Sequence, residues 1–347
     1  MRDFFKNKFN LILTLIFFLC VGIIIDAIVF KSNQNKNYEI EQQANKPEVF
    51  YTNDLKENEL QGPVDYVEIT EYATVLKFGE VQKGNITNSK RIQFNPFQQI
   101  LSESHLFYDT YYVGVEYEYD KKQRKFLEKS YDYLIQGKKQ IVAGINITKF
   151  FYGKNNRLIR KVLYNNDGVQ IEKTKYFYDD QGRRVNEVTY TGDEYNEIEL
   201  FRIEKVYLTK DSILETEINS GEEKKWIILY DNNGNEAKKW VINNQSRPEL
   251  MYALTYDNKG KVSTSKGISL FGGKPFTSQF YYDSFGNEIK SIINDGEIEI
   301  VKTKYSYDDQ KNWITRTAIY QDRTPVITER SIYYMDDMDL RNRRLNY

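Results

Sequence analysis

One short pattern recurs nine times and fixes most of what this chain can fold into. An apolar residue stands two places before an apolar, mostly aromatic, anchor. A turn-former follows, and a Gly or another small or polar residue often stands four places after the anchor. The clearest copies begin at Tyr176 (YFYDDQGRR), Tyr230 (YDNNGN), Tyr256 (YDNKGK), Tyr281 (YYDSFGN) and Tyr305 (YSYDDQ). The anchors are Phe94, Tyr119, Tyr152, Tyr178, Leu208, Tyr230, Tyr256, Tyr282 and Tyr307, spaced by 25, 33, 26, 30, 22, 26, 26 and 25 residues. A period in this range marks a repeat architecture.

Two places before the anchors stand Ile92, Tyr117, Phe150, Tyr176, Val206, Ile228, Leu254, Phe280 and Tyr305. A spacing of two puts both side chains on one face of a strand. After the anchors come Asp120, Asp179, Asp231, Asp257, Asp283 and Asp308, with Asn95, Gly153 and Thr209 in the other copies. Such residues bond the backbone two places on and start a tight turn. Gly182, Gly234, Gly260 and Gly286 supply the left-handed conformation that closes it. Return strands are expected at Arg184–Tyr190, Glu236–Ile242, Glu288–Ile293 and Trp313–Tyr320, each followed by a looser turn. Pro248, Pro275 and Pro325 lie in those looser turns, where they break no ladder. Two strands and two turns fill each period and leave hardly any room for a helix.

Val301, Thr303, Tyr305 and Tyr307 share one face of the last hairpin, and Lys302, Lys304 and Ser306 the other. Such a strand is covered on one side and wet on the other. The fold class expected is all-β, with tandem hairpins forming a long, twisted, curved antiparallel sheet over 54–334. Edge strands at the two ends of such an array would be open to pairing. Repeat-core residues are Tyr176, Tyr178, Tyr230, Tyr256, Phe280, Tyr282, Tyr305, Tyr307 and Trp313. A short Leu-containing helix or turn at 54–61 leads into a first strand at Val64–Tyr72.

The N-terminus reads differently. Residues 1–8 carry Arg2, Lys6 and Lys8, and 9–30 is an apolar run broken by Asp26. About 20 apolar residues span a bilayer. The expectation is a transmembrane signal anchor with a cytoplasmic N-terminus and an exported repeat domain. Cleavage after Ala27 and lipidation at Cys20 are the alternatives, and both lack well-placed small residues. Residues 31–53 read as a polar tether, and 335–347 as a tail with a basic trio at Arg341, Arg343 and Arg344.

Residue counts bound the chemistry. The chain has one Cys and one His, so His/Cys zinc clusters are excluded and a catalytic triad or Cys–His pair is disfavoured. Charge is balanced at net -1, with no like-charged block pointing to nucleic acid. Asp231-x-Asn233-x-Asn235 mimics the start of a calcium loop, but it lacks the Gly and distal Glu of an EF-hand. Turn chemistry is the plainer reading. Trp226, Trp240, Trp313 and the tyrosines could stack on sugar rings, or serve only as core and cross-strand pairs. His105 follows Ser102-Glu103-Ser104, with no nucleophile or orienting carboxylate indicated. No cofactor or metal is expected.

The motif YDxxG(R/N) resembles the YD repeat of RHS-repeat proteins. Tyr178 to Arg183 fits it without a gap, and Tyr230 to Asn235 and Tyr282 to Asn287 fit its Asn variant. The likeness is stronger to small exported RHS-like proteins of Bacteroidetes, through Gly62-Pro63-Val64, Glu71-Tyr72 and Lys77-Phe78-Gly79-Glu80 at one end. Asn312-Trp313-Ile314-Thr315-Arg316-Thr317 and Thr328-Glu329-Arg330-Ser331-Ile332-Tyr333-Tyr334 carry it at the other. Two departures from large RHS toxins stand out: the chain is short for their closed cocoon, and it lacks a self-cleaving core. The resemblance therefore implies fold and envelope location and no activity. The expected role is a non-catalytic, membrane-anchored scaffold or binding module of the bacterial cell envelope, contacting protein or glycan. The alternative is a glycan-acting hydrolase with paired Asp/Glu on the concave sheet face.

Overall fold

The computed structural model describes residues 54–336, apart from 79, 108–109, 244–245, 269–273 and 322. The expected membrane segment, the tether, Cys20 and the Arg341–Arg344 trio lie outside the described residues. Among the described residues no helix is long and apolar enough to cross a membrane. A single turn of helix, α1 (Asp54–Glu57), comes first.

Twenty strands follow. They begin with β1 (Val64–Lys77), β2 (Glu80–Phe94), β3 (Ile100–Phe107), β4 (Thr110–Tyr119), β5 (Lys125–Gln136) and β6 (Lys139–Tyr152). Next come β7 (Leu158–Tyr164), β8 (Gln170–Tyr178), β9 (Arg184–Thr191), β10 (Ile198–Thr209), β11 (Ser212–Asn219), β12 (Glu222–Tyr230) and β13 (Glu236–Ile242). The last are β14 (Pro248–Tyr256), β15 (Val262–Ile268), β16 (Pro275–Tyr282), β17 (Glu288–Asn294), β18 (Ile298–Tyr307), β19 (Trp313–Ile319) and β20 (Val326–Tyr334). Each pairs antiparallel with the next, and β20 returns to pair with β1 from Val64↔Tyr334 to Tyr72↔Ile327.

The sheet is therefore a closed barrel, which corrects the expected open, twisted sheet and its two free edges. Closure depends on strand number rather than strand length, and it pairs the two rows of backbone groups that an open array would leave exposed.

Alternation sorts the connections. The aspartate turns all lie at one end of the barrel and the looser turns at the other. Each aspartate turn is a type I turn closed by a left-handed residue, the three-residue hairpin geometry. In the β8–β9 turn, Asp179 N donates to Arg183 O at 3.0 Å and Gly182 N to Asp179 O at 2.9 Å. Gly182 has φ +80°, and Gln123, Asn156 and Lys311 take the same place with positive φ elsewhere. The extra residue shifts the register between Phe177 and Tyr178.

Tyrosine hydroxyls lace the repeats together. Tyr119 donates to Ile100 O, Tyr152 to Lys125 O, Tyr178 to Leu158 O, Tyr256 to Glu236 O and Tyr282 to Val262 O, all at 2.7–2.8 Å. Each acceptor lies just past the preceding repeat's tight turn, which opens on Asn95, Asp120, Gly153, Asp231 or Asp257. Tyr305 reaches Glu288 O at 3.1 Å, while Tyr307 donates to the Asp283 carboxylate. One anchor is corrected. Leu208 is exposed, and its neighbour Tyr207 donates to Arg184 O. The following turn has only two residues, since Thr209 pairs with Ser212, so the laced position moves back by one. Tyr282→Phe is expected to cost about 1 kcal/mol, the net value of one such bond. Urea unfolding of that variant checks it.

The two faces differ in cover. Along β16 and β18 the face bearing Phe280, Tyr282, Tyr305 and Tyr307 is more buried than the face bearing Tyr281, Lys302 and Lys304. Pairing carries this face round the ring through Arg330, Val67, Ile92, Glu103, Val115 and Glu128. The segment around α1 packs on it. Asp54 accepts from Ile100 N on β3 at 2.6 Å, and Trp313 Nε1 on β19 donates to Glu59 at 2.9 Å. Those strands are four steps apart, about 19 Å along the wall at the usual strand spacing. Five helix-like residues advance only about 8 Å. Such a segment reaches both strands as a chord from the concave side, so this face is the inner wall. Leu55 and Leu60 meet Val64, Val67, Ile92 and Phe94 there in the best-buried cluster.

Candidate functional site

Strands β3, β4 and β5 bring a group of ionisable and aromatic side chains together on the inner wall beside α1. The registers Glu103↔Val115 and Tyr117↔Glu128 place these residues in neighbouring rows. The bulge after the β4–β5 turn pairs Tyr119 with Lys125. Lys125 Nζ stands 3.8 Å from the Tyr117 ring centre and 3.8 Å from Glu128, with the Phe150 ring at 6.0 Å. Burial pushes the Lys125 ammonium down, opposed by Glu128, Asp54, Glu103 and Glu57. Burial, together with Glu128, Glu103 and Asp54, pushes the Tyr117 hydroxyl up to about 12. Burial also raises Tyr119 and holds Tyr152 near 12, and both hydroxyls are committed to lacing bonds. The group offers one cation, flanking carboxylates and ring faces. That set suits a polar ligand with an apolar face.

A second group lies on the other side of α1. Asn312 reads a backbone peptide from both sides: Gln61 N donates to its Oδ1 at 2.6 Å, and its Nδ2 donates to Gln61 O at 2.9 Å. Arg330 donates to Asn58 O at 2.9 Å and Glu59 O at 3.3 Å, with its guanidinium 3.5 Å above Trp313. Burial pushes Arg330 down to about 10. This group is occupied by the chain itself and serves closure.

The singled-out residues fall into two sets. Asp179, Asp231, Asp257, Asp283 and Asp308, with Gly182, Gly234, Gly260 and Gly286, sit in separate turns along one rim. Asp231 accepts from Asn233 N, Asn235 N and Asn235 Nδ2, so the turn engages the carboxylate that the calcium reading would need. No cluster of three or more metal-ligating side chains occurs among the described residues. Tyr176 and Trp313 are buried, whereas Tyr178, Tyr230, Tyr256, Phe280, Tyr282, Tyr305 and Tyr307 are half-buried on the inner wall. His105 is exposed on β3. Concave-face carboxylates exist as the hydrolase alternative requires, and several are engaged. Glu236 accepts from Tyr252 at 2.5 Å, and Glu215 lies 3.0 Å from Lys205. Sequence reasoning missed Lys125, Glu128 and Asp54, each of which reads singly as a solvated charge. Only the register brings them together.

Partial burial acts to raise Asp179, yet hydrogen bonds from the Arg183 backbone and guanidinium outweigh it and hold the carboxyl low. Asp120 is held low in the same way by Arg124, and Asp283 by Tyr307 and the turn amides. A carboxyl whose folded pKa is depressed stabilises the fold above its unfolded value, about 3.9, and loses that contribution as pH falls through the folded value. The urea midpoint is therefore expected to fall as the pH drops from about 5 to about 2. Asp179→Asn should flatten that fall, because its amide oxygen still accepts from the turn without titrating.

No family model matches the chain, and no curated protein matches it. Among solved structures it is similar to a Photorhabdus luminescens Tc holotoxin pore at 13% identity, over 76% of this chain and 16% of that one, with a TM-score of 0.32. It is similar to a TcdB2–TccC3 complex at 12% identity, over 72% of this chain and 15% of that one, with a TM-score of 0.34. A porin-like protein from Bacteroides uniformis is 10% identical over 78% of this chain and 98% of that one, with a TM-score of 0.29. The chain thus spans under a fifth of the length of the toxin chains. At these scores the likenesses carry neither an activity nor a family to it.

Proposed function

We propose that this protein is a non-catalytic, membrane-anchored and exported scaffold or binding module of the bacterial cell envelope. It takes a glycan or protein segment against its inner wall. One observation carries the reading: Lys125, Glu128, Glu103 and the Tyr117 ring converge beside α1 while the neighbouring tyrosine hydroxyls are spent on lacing. Ring faces and charged groups are thereby offered for binding, while the Tyr119 and Tyr152 hydroxyls are held in the wall. The apolar run at 9–30 supports the anchored location.

The test is a glycan array and an affinity capture with mass spectrometry, both on the full chain in detergent. A reproducible partner that Lys125→Ala weakens supports the reading. Turnover of an envelope polysaccharide by the purified chain, or binding that Lys125→Ala leaves unchanged, overturns it.

A further inference from the structure

The outer wall over β6, β7 and β8 gathers cations in two adjoining rows. In one row Lys149 stands opposite Val162, and Val162 opposite Lys173. In the next Phe151 stands opposite Arg160, and Arg160 opposite Lys175. Phe150 and Tyr176 face the inner wall, so their sequence neighbours Lys149, Phe151 and Lys175 face out. Val162 is only 2% exposed on this wet face, because the alkyl stems of the cations around it lie across it.

Rings rather than carboxylates hold two of these cations. The Arg160 guanidinium stands 4.0 Å from the Phe151 ring centre, and Lys149 Nζ stands 5.1 Å from that of Tyr164. A ring face fixes a cation without using its N–H groups. Among the described residues Arg160 makes no hydrogen bond or ion pair, and its Nε–H is buried without an acceptor. Lys173 and Lys175 share Glu197, the second at 3.8 Å. Burial pushes the Lys173 ammonium down, Lys175 and Arg160 add to that, and Glu194 opposes it. The carboxylates facing Lys149, Arg160, Lys173 and Lys175 are therefore Glu197 and, less directly, Glu194. Asp193 in the same hairpin accepts from Tyr195 N and Asn196 N at 2.9 Å, and Glu199 and Glu204 are taken by Arg202. The patch keeps an excess of positive charge, and the guanidinium fork in it is unspent.

We infer that this patch is an oxyanion site, in which Arg160 and Lys149 together take the phosphate, sulfate or carboxylate group of an anionic ligand. It lies on the opposite face from the Lys125 group and does not rest on the reading of that group. Arg160 and Lys149 are diagonal neighbours on paired strands, about 7–8 Å apart at the backbone, a gap that two long side chains close over one anion. The guanidinium fork matches two oxygens of one group, and the ammonium adds a point charge beside it. Lys175, directly opposite Arg160, borders the same space. Glu197 shows the adjoining lysines already holding a carboxylate. Its charge also repels an incoming anion, so Glu197 sets a limit on affinity.

The test is titration calorimetry on the full chain in detergent at low salt. Inorganic phosphate is one probe and oligogalacturonate the other, so a free ion is set beside the same kind of charge on a glycan. Fully methyl-esterified oligogalacturonate is the uncharged control. A charged probe should bind, and its affinity should fall as salt rises. Arg160→Gln should weaken it at least about tenfold, and Arg160→Lys should weaken it less, since the charge stays and the fork is lost. Glu197→Gln should strengthen it about threefold by removing a competing charge, a gain that a purely structural role for Arg160 does not produce. Lys125→Ala should leave it unchanged, which separates this site from the inner wall. An unchanged urea midpoint confirms the fold of each variant. Binding of phosphate alone assigns the site to a free ion, and binding of the oligomer assigns it to a glycan; both support the proposal. Failure of both charged probes to bind overturns it. So does an esterified oligomer that binds as tightly as the charged one, or an affinity that Arg160→Gln leaves unchanged.

Discussion

Trp313→Ala is expected to destabilise the barrel by about 3–5 kcal/mol, the range for removing a large buried aromatic. Trp313 is 3% exposed and stands where the last repeat meets the segment that precedes the first. Its Nε1 donates to Glu59, Arg330 lies across its face, and the Tyr305 ring is 6.0 Å away. The loss is therefore a cavity, a half-buried hydrogen bond and the surface on which a buried guanidinium rests. Trp313→Phe separates these terms. It keeps much of the packing and removes the donor, so it should cost about 0.5–1.5 kcal/mol, the net value of one hydrogen bond, because the exposed Glu59 carboxylate turns to water. The damage should be local before it is global. Amide exchange in Val64–Tyr72, which pairs with β20, should rise more in Trp313→Ala than exchange in β13 or β14. Equal acceleration everywhere would mean that Trp313 does not hold the seam.

Most of the wall was legible because its signals are local. The aspartate, the glycine three places on and the aromatic pair all fall within one hairpin, and they set strand, turn and face together. Glu236–Ile242 emerges with the boundaries the pattern gives. Closure was not legible, because it joins residues such as Ile69 and Arg330 that no short window contains. The end segments that break the repeat were its trace in the sequence. Asn312 occupies the place held by Asn287 and Asn235, yet its side chain bonds Gln61 rather than its own repeat alone. The lacing role of tyrosine was hidden for another reason. Apolar pattern treats Tyr and Phe alike, and only the acceptor carbonyl on the neighbouring strand tells them apart. Lys125 and Glu128 lay below notice because each reads singly as a solvated charge.

That distinction between Tyr and Phe makes the second large effect specific. Phe94 is an anchor of the first repeat, aligned with the tyrosines, yet it has no hydroxyl. It is fully buried, in a cluster with Leu55, Leu60, Val64, Val67 and Ile92. Phe94→Ala is expected to cost about 3–5 kcal/mol by opening a cavity that a two-sided cluster cannot collapse. Phe94→Tyr is the more telling substitution, because it installs the commoner residue of the repeat. At Tyr119, Tyr152, Tyr178, Tyr256 and Tyr282 the hydroxyl reaches a carbonyl just past the preceding repeat's turn. Before β2 no repeat precedes, and the corresponding space is filled by the leucines around α1. A hydroxyl introduced there is desolvated without an acceptor, which costs about 1–3 kcal/mol. Phe94→Tyr should therefore destabilise, although a repeat consensus would favour it. Urea unfolding of Phe94→Tyr beside Phe94→Leu decides the matter. If Tyr is tolerated better than Leu, the hydroxyl has found a partner and the first repeat is laced like the rest. If Tyr is tolerated worse, apolar contact with α1 is what replaces lacing where the ring begins.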